Sequence, residues 1–293
     1  MRSIEHPGPV HPTRIECVPA NVRAVEVELP PGVTLLQGLA NAVQAQGATS
    51  AVFSFRDGSF APLRFVMPAL ADSPKHVAYF SERFEAAGAA QIESGSVTFG
   101  SHDGEPALHC HATWTESDGR RRSGHVLAAE SQVEQPTRLQ AWMIDGAAFE
   151  VSPDAETNFS LLQVRAKPDR SDGTNGLVVR VRPNQDLCLA LEALCAERNI
   201  RRARICGGVG SLIGTVFDDG RTVEPFVTEV FIHRGVVEPG LDGALEAEVD
   251  VGLVAYTGEI AEGRLARGQN PVLITFELVL EVLEKTQPAR SAA

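Results

Sequence analysis

The sequence predicts an α/β (α+β) protein in which one strand–helix–strand unit is used twice. Three observations lead there: a gapless internal repeat, two capped helices at matching places within it, and a length of 293 residues, twice that of an ordinary domain. Val25–Phe60 lies over Leu177–Leu212 at a constant offset of 152. Pro31 falls on Pro183, Leu35 on Leu187, Leu39 on Leu191, Ala51 on Ala203, Gly58 on Gly210 and Ser59 on Ser211. Each copy reads as strand, Pro-marked turn, helix, strand and Gly-Ser turn.

The helices are justified residue by residue. Thr34 and Asp186 occupy the same N-cap position, where a side-chain oxygen accepts an orphan N–H of the first turn. Gln37 completes a capping box in the first copy, and Leu189 stands in its place in the second. Leu36, Leu39, Ala40 and Val43 form one apolar stripe; Leu187, Leu191, Leu194 and Cys195 form the other. Gly47 and Asn199 follow, as left-handed C-terminal caps require.

Toward the end of each copy the offset falls to 139, where Gly119 matches Gly258 in two hairpin-like runs. The first copy therefore holds 13 more residues, within about Met67 to Gly104. The chain divides into an N-terminal extension (1–19), a first unit (20–166), a polar linker (167–176), a second unit (177–286) and a tail (287–293).

Charge and cysteine use narrow the function classes. Through Glu150 there are 11 basic and 17 acidic residues, and beyond it 15 and 21, so each part carries −6. A surface that holds duplex DNA or an anionic membrane needs local positive charge, and the bulk of this chain repels phosphate. The five cysteines (Cys17, Cys110, Cys188, Cys195, Cys206) are scattered without a CxxC, as buried thiols of a cytoplasmic protein would be. Met1–Pro19 contains four prolines and no apolar run, so neither a signal peptide nor a membrane span is expected.

One constellation carries chemistry. On a strand through Pro106–Glu116, His109, His111, Thr113 and Thr115 share a face, while Cys110, Ala112 and Trp114 share the opposite, apolar one. The third histidine, His125, depends on the turn. A three-residue loop Ser117-Asp118-Gly119 sets His125 opposite His111, with all three imidazoles on one face. A two-residue Asp118-Gly119 turn sends His125 to the other face. Three neutral imidazoles with an open position suit zinc and other first-row metals; a polar histidine cluster without metal is the other reading. In the second copy the equivalents are Glu248, Asp250 and Arg264, which predict a cross-strand ion pair. Glu93, Glu105 and Glu130 are candidate general bases. His76, Tyr79 and Arg83 lie in the extra segment, a variable loop or a pocket wall. The Gly207-Gly208-Val209-Gly210 run lacks phosphate-loop spacing and reads as a tight turn, and His233 reads as a core or interface histidine.

At these residues the sequence resembles the plants-and-prokaryotes-conserved (PPC or PCC) domain family, bacterial type, in two tandem copies. The likeness rests on the strand–helix start, the Gly-Ser turns, the His109, His111, Gly119, His125 run, and Glu229 before Gly235 in the second copy. It implies a largely antiparallel sheet with a packed helix in each copy, homo-oligomers (trimers or a pseudo-hexameric arrangement) and a divalent metal, zinc first, on His109, His111 and His125. The family is commonly labelled DNA-binding, yet this chain has no Arg-Gly-Arg-Pro hook; the nearest basic run is Arg120-Arg121-Arg122 at a hairpin turn. Glu229 has no acidic counterpart in the first copy, where Ala89 stands, and the three histidines have none in the second. The chain would then imitate two neighbouring subunits, with Glu229 completing the site as an interface or second-shell residue. The sequence leaves three functions open: a metal-dependent protein acting on or sensing a small molecule, a DNA-binding transcriptional regulator, and an interaction protein with a vestigial site. It does not decide whether the chain is an enzyme.

Overall fold

Two series of strands, each wrapped on one helix, build the protein. The computed structural model describes residues 2–168 and 173–286. The tail (287–293) and positions 169–172 of the expected linker lie outside the described residues. In chain order the elements are β1 (Ile15–Leu29), α1 (Leu35–Ala45), β2 (Ser50–Phe55), β3 (Ser59–Phe60), β4 (Arg64–Val66), β5 (Pro68–Leu70), β6 (Ala78–Phe80), β7 (Phe84–Glu85), β8 (Ala90–His102), β9 (Glu105–Glu116) and β10 (Arg121–Val126). They continue with β11 (Val133–Gln135), β12 (Thr137–Asp145), β13 (Ala147–Pro153), β14 (Ser160–Ala166), β15 (Gly176–Val181), α2 (Leu187–Glu197), β16 (Ile200–Val216), β17 (Thr222–Pro239), β18 (Leu245–Ala255), β19 (Ile260–Arg264) and β20 (Val272–Lys285).

The pairing repeats. The first series runs β1-β12-β2-β8-β9-β10 and the second β15-β20-β16-β17-β18-β19, all antiparallel. Antiparallel order is what hairpin connections allow, since a parallel neighbour needs a long crossover. One parallel contact exists, Glu150 beside Ser101. With two helices and a mostly antiparallel sheet, α+β describes the chain better than α/β. β1 belongs to both series: Asn21–Leu29 pairs with β12 and Ile15–Ala20 with β15.

The caps form as their residues dictate. Thr34 accepts the Gln37 N–H at 3.2 Å, and Asp186 accepts the Leu189 N–H at 2.9 Å. Gly47 and Asn199 follow the helices at φ +69 and +56. The buried face of α1 is Leu35, Gly38, Leu39 and Val43, one position round from the stripe read from sequence; Leu36 and Ala40 sit at its edge. Asp186 does more than cap, since its second oxygen accepts the buried Asn270 N–H at 2.7 Å. Asp186→Ala should therefore cost about 2–3 kcal/mol and Thr34→Ala only about 1 kcal/mol. Urea unfolding of the two variants checks the order, and equal losses would refute it.

Each half has its own core, on Trp114 and Phe53 in the first and Phe217 and Phe276 in the second. A third cluster joins them through Val22, Val52, Ile144, Phe149, Val178 and Val279. All five cysteines are free, four of them buried; burial pushes their thiols up, Cys195 to about 12.

The glycine run is not a turn. Gly207–Gly210 lies inside β16, which continues through it to Val216. The reason is close approach: a Cβ on Gly208 would stand 2.5 Å from the Glu277 carbonyl oxygen, and one on Gly210 2.4 Å from that of Thr275. The Gly208 N–H then reaches the Ser96 hydroxyl of β8 at 3.1 Å. These glycines let the second half lie against the β8–β9 face of the first.

Candidate functional site

That face carries the histidines. Alternation along β9 sends Cys110, Ala112 and Trp114 into the first core, all fully buried. His109 and His111 take the other side, beside Thr98 and Ser96 of β8. The turn decides His125. Gly119 adopts φ +85, the Glu116 N–H donates to the Arg120 carbonyl at 2.8 Å, and His125 pairs directly with His111. This is the three-residue loop, so all three rings stand on one face, with centroids 4.5, 5.1 and 5.3 Å apart.

The second half closes over them. The His109 Nδ1–H donates to Glu277 Oε2 at 2.9 Å, and the His111 Nδ1–H donates to the Val230 carbonyl at 3.0 Å. Glu277 belongs to β20 and Val230 to β17. Glu229 brings Oε1 to 3.9 Å from His111 Nε2, while its Oε2 is buried with no hydrogen-bond partner among the described residues. Thus the "outer" face of β9 is an interior surface between the halves, which is why His111 is as buried as a core residue.

These bonds set the tautomers. A ring whose Nδ1 donates shows a bare lone pair at Nε2. His109 Nε2 and His111 Nε2 face each other at 3.0 Å, an arrangement that repels unless a cation or proton lies between them. Protonation is disfavoured: burial, with His109 and His125 nearby, pushes His111 well below the ordinary imidazole value. Burial, aided by His109, takes His125 to about 3. The Nδ1 of His125 is sealed from solvent with no hydrogen-bond partner among the described residues. One nitrogen from each ring lies within 4.8 Å of the others. Neutral converging imidazoles, two of them anchored from behind by an acceptor, fit a divalent first-row metal. Burial also raises Glu229 well above the usual carboxylate value.

Other candidates are elsewhere. Glu93 bonds Thr115 and Arg121, Glu130 pairs with Arg83 and Arg64, and Glu105 is exposed at the far end of β9. In the second half Arg264 spans Asp250 at 3.1 Å and Glu248 at 2.6 Å, an ion-pair triad where the first half has imidazoles. His233 is at the surface beside Glu262, not in the core. The Arg120–Arg122 run is engaged by carboxylates: Arg120 by Asp118, Arg121 by Glu93 and Glu262, Arg122 by Glu116. Glu277 was missed by the sequence reading, though its signal was present: a lone carboxylate in the apolar run Val272–Leu280.

The extra segment of the first half forms the β5–β6 hairpin, which walls a cavity at the histidines. Phe80 meets His125 edge-on at 5.1 Å, and Tyr79 and His76 pack on Phe159. Glu229, His109 and His111 lie on the cavity's lining.

Residues 18–137 match the Plants and Prokaryotes Conserved (PCC) domain. No curated protein matches the chain. Among solved structures, it is similar to a plant- and prokaryote-conserved protein from Pyrococcus horikoshii: 17% identity, 51% of this chain, 96% of the other and a TM-score of 0.40. A metal-containing protein from Archaeoglobus fulgidus matches at 19% identity over 48% of this chain and 93% of its own, with a TM-score of 0.40. A protein from Ralstonia eutropha, described as a candidate DNA-binding protein, matches at 16% identity over 48% and 90%, with a TM-score of 0.37. No helix among the described residues is long and apolar enough to cross a membrane.

Proposed function

We propose that His109, His111 and His125 hold a divalent metal, zinc before others, and that the chain acts on or senses a small molecule at that metal. The half from Gly176 to Lys285 is read as a second PCC-like copy, on its shared order of strand pairing. The observation that carries the metal reading is the facing pair of bare Nε2 atoms at 3.0 Å. A metal in such a site supplies Lewis acidity and activates bound water. The chain's own residues do the rest: Glu277 and the Val230 carbonyl hold two rings in the ligating tautomer, and Glu229 offers an acceptor at the cavity floor.

Metal analysis of the purified chain tests this. About one ion per chain is expected in the wild type and almost none in His111→Ala; wild type that stays empty after incubation with zinc would sink the reading. The DNA-binding alternative meets an acidic chain of net charge −12 whose arginine runs, Arg120–Arg122 and Arg201–Arg204, are paired with carboxylates. Duplex binding that weakens steeply with added salt would be needed to revive it.

A further inference from the structure

The cavity itself restricts what can enter. Its volume open to water is about 80 Å³. A single water needs about 10–15 Å³ of such space, so there is room for about five to eight water-sized groups. Its upper walls are apolar and come from three parts of the chain: Ala78 of the extra hairpin, Phe159 and Leu161 of β14 and the loop before it, and Val227, Leu273 and Ile274 of the second half. Tyr79 and Phe80 form an exposed aromatic rim, 52% and 41% accessible. The floor is polar but mostly committed. Ser211 Oγ accepts the Ile274 N–H, Thr228 Oγ1 bonds Leu212, and Thr275 Oγ1 bonds Glu277. Glu229 alone among the lining side chains keeps a buried oxygen without a partner among the described residues.

No Arg or Lys lines this space. In the metal-free chain a carboxylate ligand would sit beside Glu229 with no cation to offset it, and the cost of an uncompensated buried charge is large. In the metal-loaded chain an ammonium ligand would share the floor with a divalent cation. A hydroxyl avoids both: its O–H donates to Glu229 and its oxygen turns a lone pair toward the imidazole side.

We propose that this cavity binds a neutral, hydroxyl-bearing small molecule of about five to eight non-hydrogen atoms, with the hydroxyl at Glu229 and a short apolar end against Phe159 and Leu161. This rests on the metal reading for the position of the oxygen lone pair and for the exclusion of an ammonium.

Isobutanol, isobutyrate and isobutylammonium serve as probes of nearly equal size, titrated by ligand-observed NMR against the full chain, metal-loaded and metal-free. Isobutanol is expected to bind with a Kd on the order of 1 mM, in keeping with its few atoms, about tenfold or more tighter than isobutyrate in the metal-free chain and than isobutylammonium in the metal-loaded chain. Glu229→Ala should weaken isobutanol about 2–10-fold, as loss of one hydrogen bond does. Phe159→Ala deepens the apolar end and should shift preference toward hexan-1-ol, a gain that misfolding cannot mimic. Isobutyrate binding the metal-free chain as tightly as isobutanol, isobutylammonium so binding the metal-loaded chain, or no probe binding at all, would overturn the proposal. Isobutanol bound by a chain that takes up no metal would support the proposal and overturn the metal reading alone. Stoichiometric metal with no alcohol bound would do the reverse.

Discussion

Asp154→Ala is expected to lower stability by about 3–5 kcal/mol, the range for removing one partner of a buried charge group. Asp154 Oδ2 accepts from Arg180 at 2.8 Å and Arg182 at 2.7 Å, while Oδ1 accepts the Thr157 N–H and hydroxyl at 3.1 Å each. Arg180 is fully buried, and one of its terminal nitrogens already has no hydrogen-bond partner among the described residues. Without Asp154, the two guanidiniums would keep Glu16 as their one close carboxylate, the Thr275 hydroxyl on Arg180 Nε at 3.1 Å, and a marginal contact of Arg182 with Glu156 at 3.6 Å. The pH dependence has a definite sign. Burial pushes Asp154 upward, yet Arg180 and Arg182 overcome it and hold the carboxyl well below the usual carboxylate value. Its contribution is therefore complete above about pH 4, the unfolded value, and fades as pH falls below that. Urea midpoints of variant and wild type at pH 7 should show a large gap that stays constant to about pH 4 and narrows only below it, by about pH 3. A loss under about 1 kcal/mol at pH 7 would show that the group is not the anchor its geometry indicates.

Glu277→Gln is expected to weaken metal affinity about 10–100-fold while leaving the fold intact, as loss of an outer carboxylate partner does. Glu277 is fully buried, with Oε2 on His109 and Oε1 accepting the Thr275 hydroxyl at 3.0 Å. The Thr275 oxygen in turn accepts from Arg180 Nε at 3.1 Å. The amide can still bond His109, but it carries no charge to raise the ring's basicity. Competition against a chelator of known affinity reads the change. Glu93→Gln, which alters only a surface pair, is the control that should leave affinity unmoved. Unchanged affinity in Glu277→Gln would remove Glu277 from the site.

Local features of the fold were legible because they depend on residues a few positions apart. Thr34 and Asp186 announce their helices by type and place, and the alternation around His109 sorts core from site without any coordinates. The hairpin at Gly119 was legible up to one ambiguity, the loop length, and the Glu116–Arg120 bond resolves it. What could not be read was long-range. Asp154, Arg180, Arg182 and Glu16 form one charge group although they are up to 166 positions apart, and no periodicity links them. Glu277 stood in plain view as a charge in an apolar strand, yet its partner is 168 positions away. The glycines of β16 misled for a related reason. Locally they signal a turn, and only the packing of one half on the other shows that they serve close contact.

β1, shared by both series of strands, has a consequence for how the site behaves in dilute solution. Because this strand and the linker tether the halves, the imidazoles and the carboxylates that back them meet as parts of one molecule. Their encounter is intramolecular, governed by an effective concentration of roughly millimolar or above and not by how much protein is present. Metal affinity should therefore stay constant on dilution. Each chain would carry one such site, and the second half's corresponding face carries the Arg264 ion-pair triad.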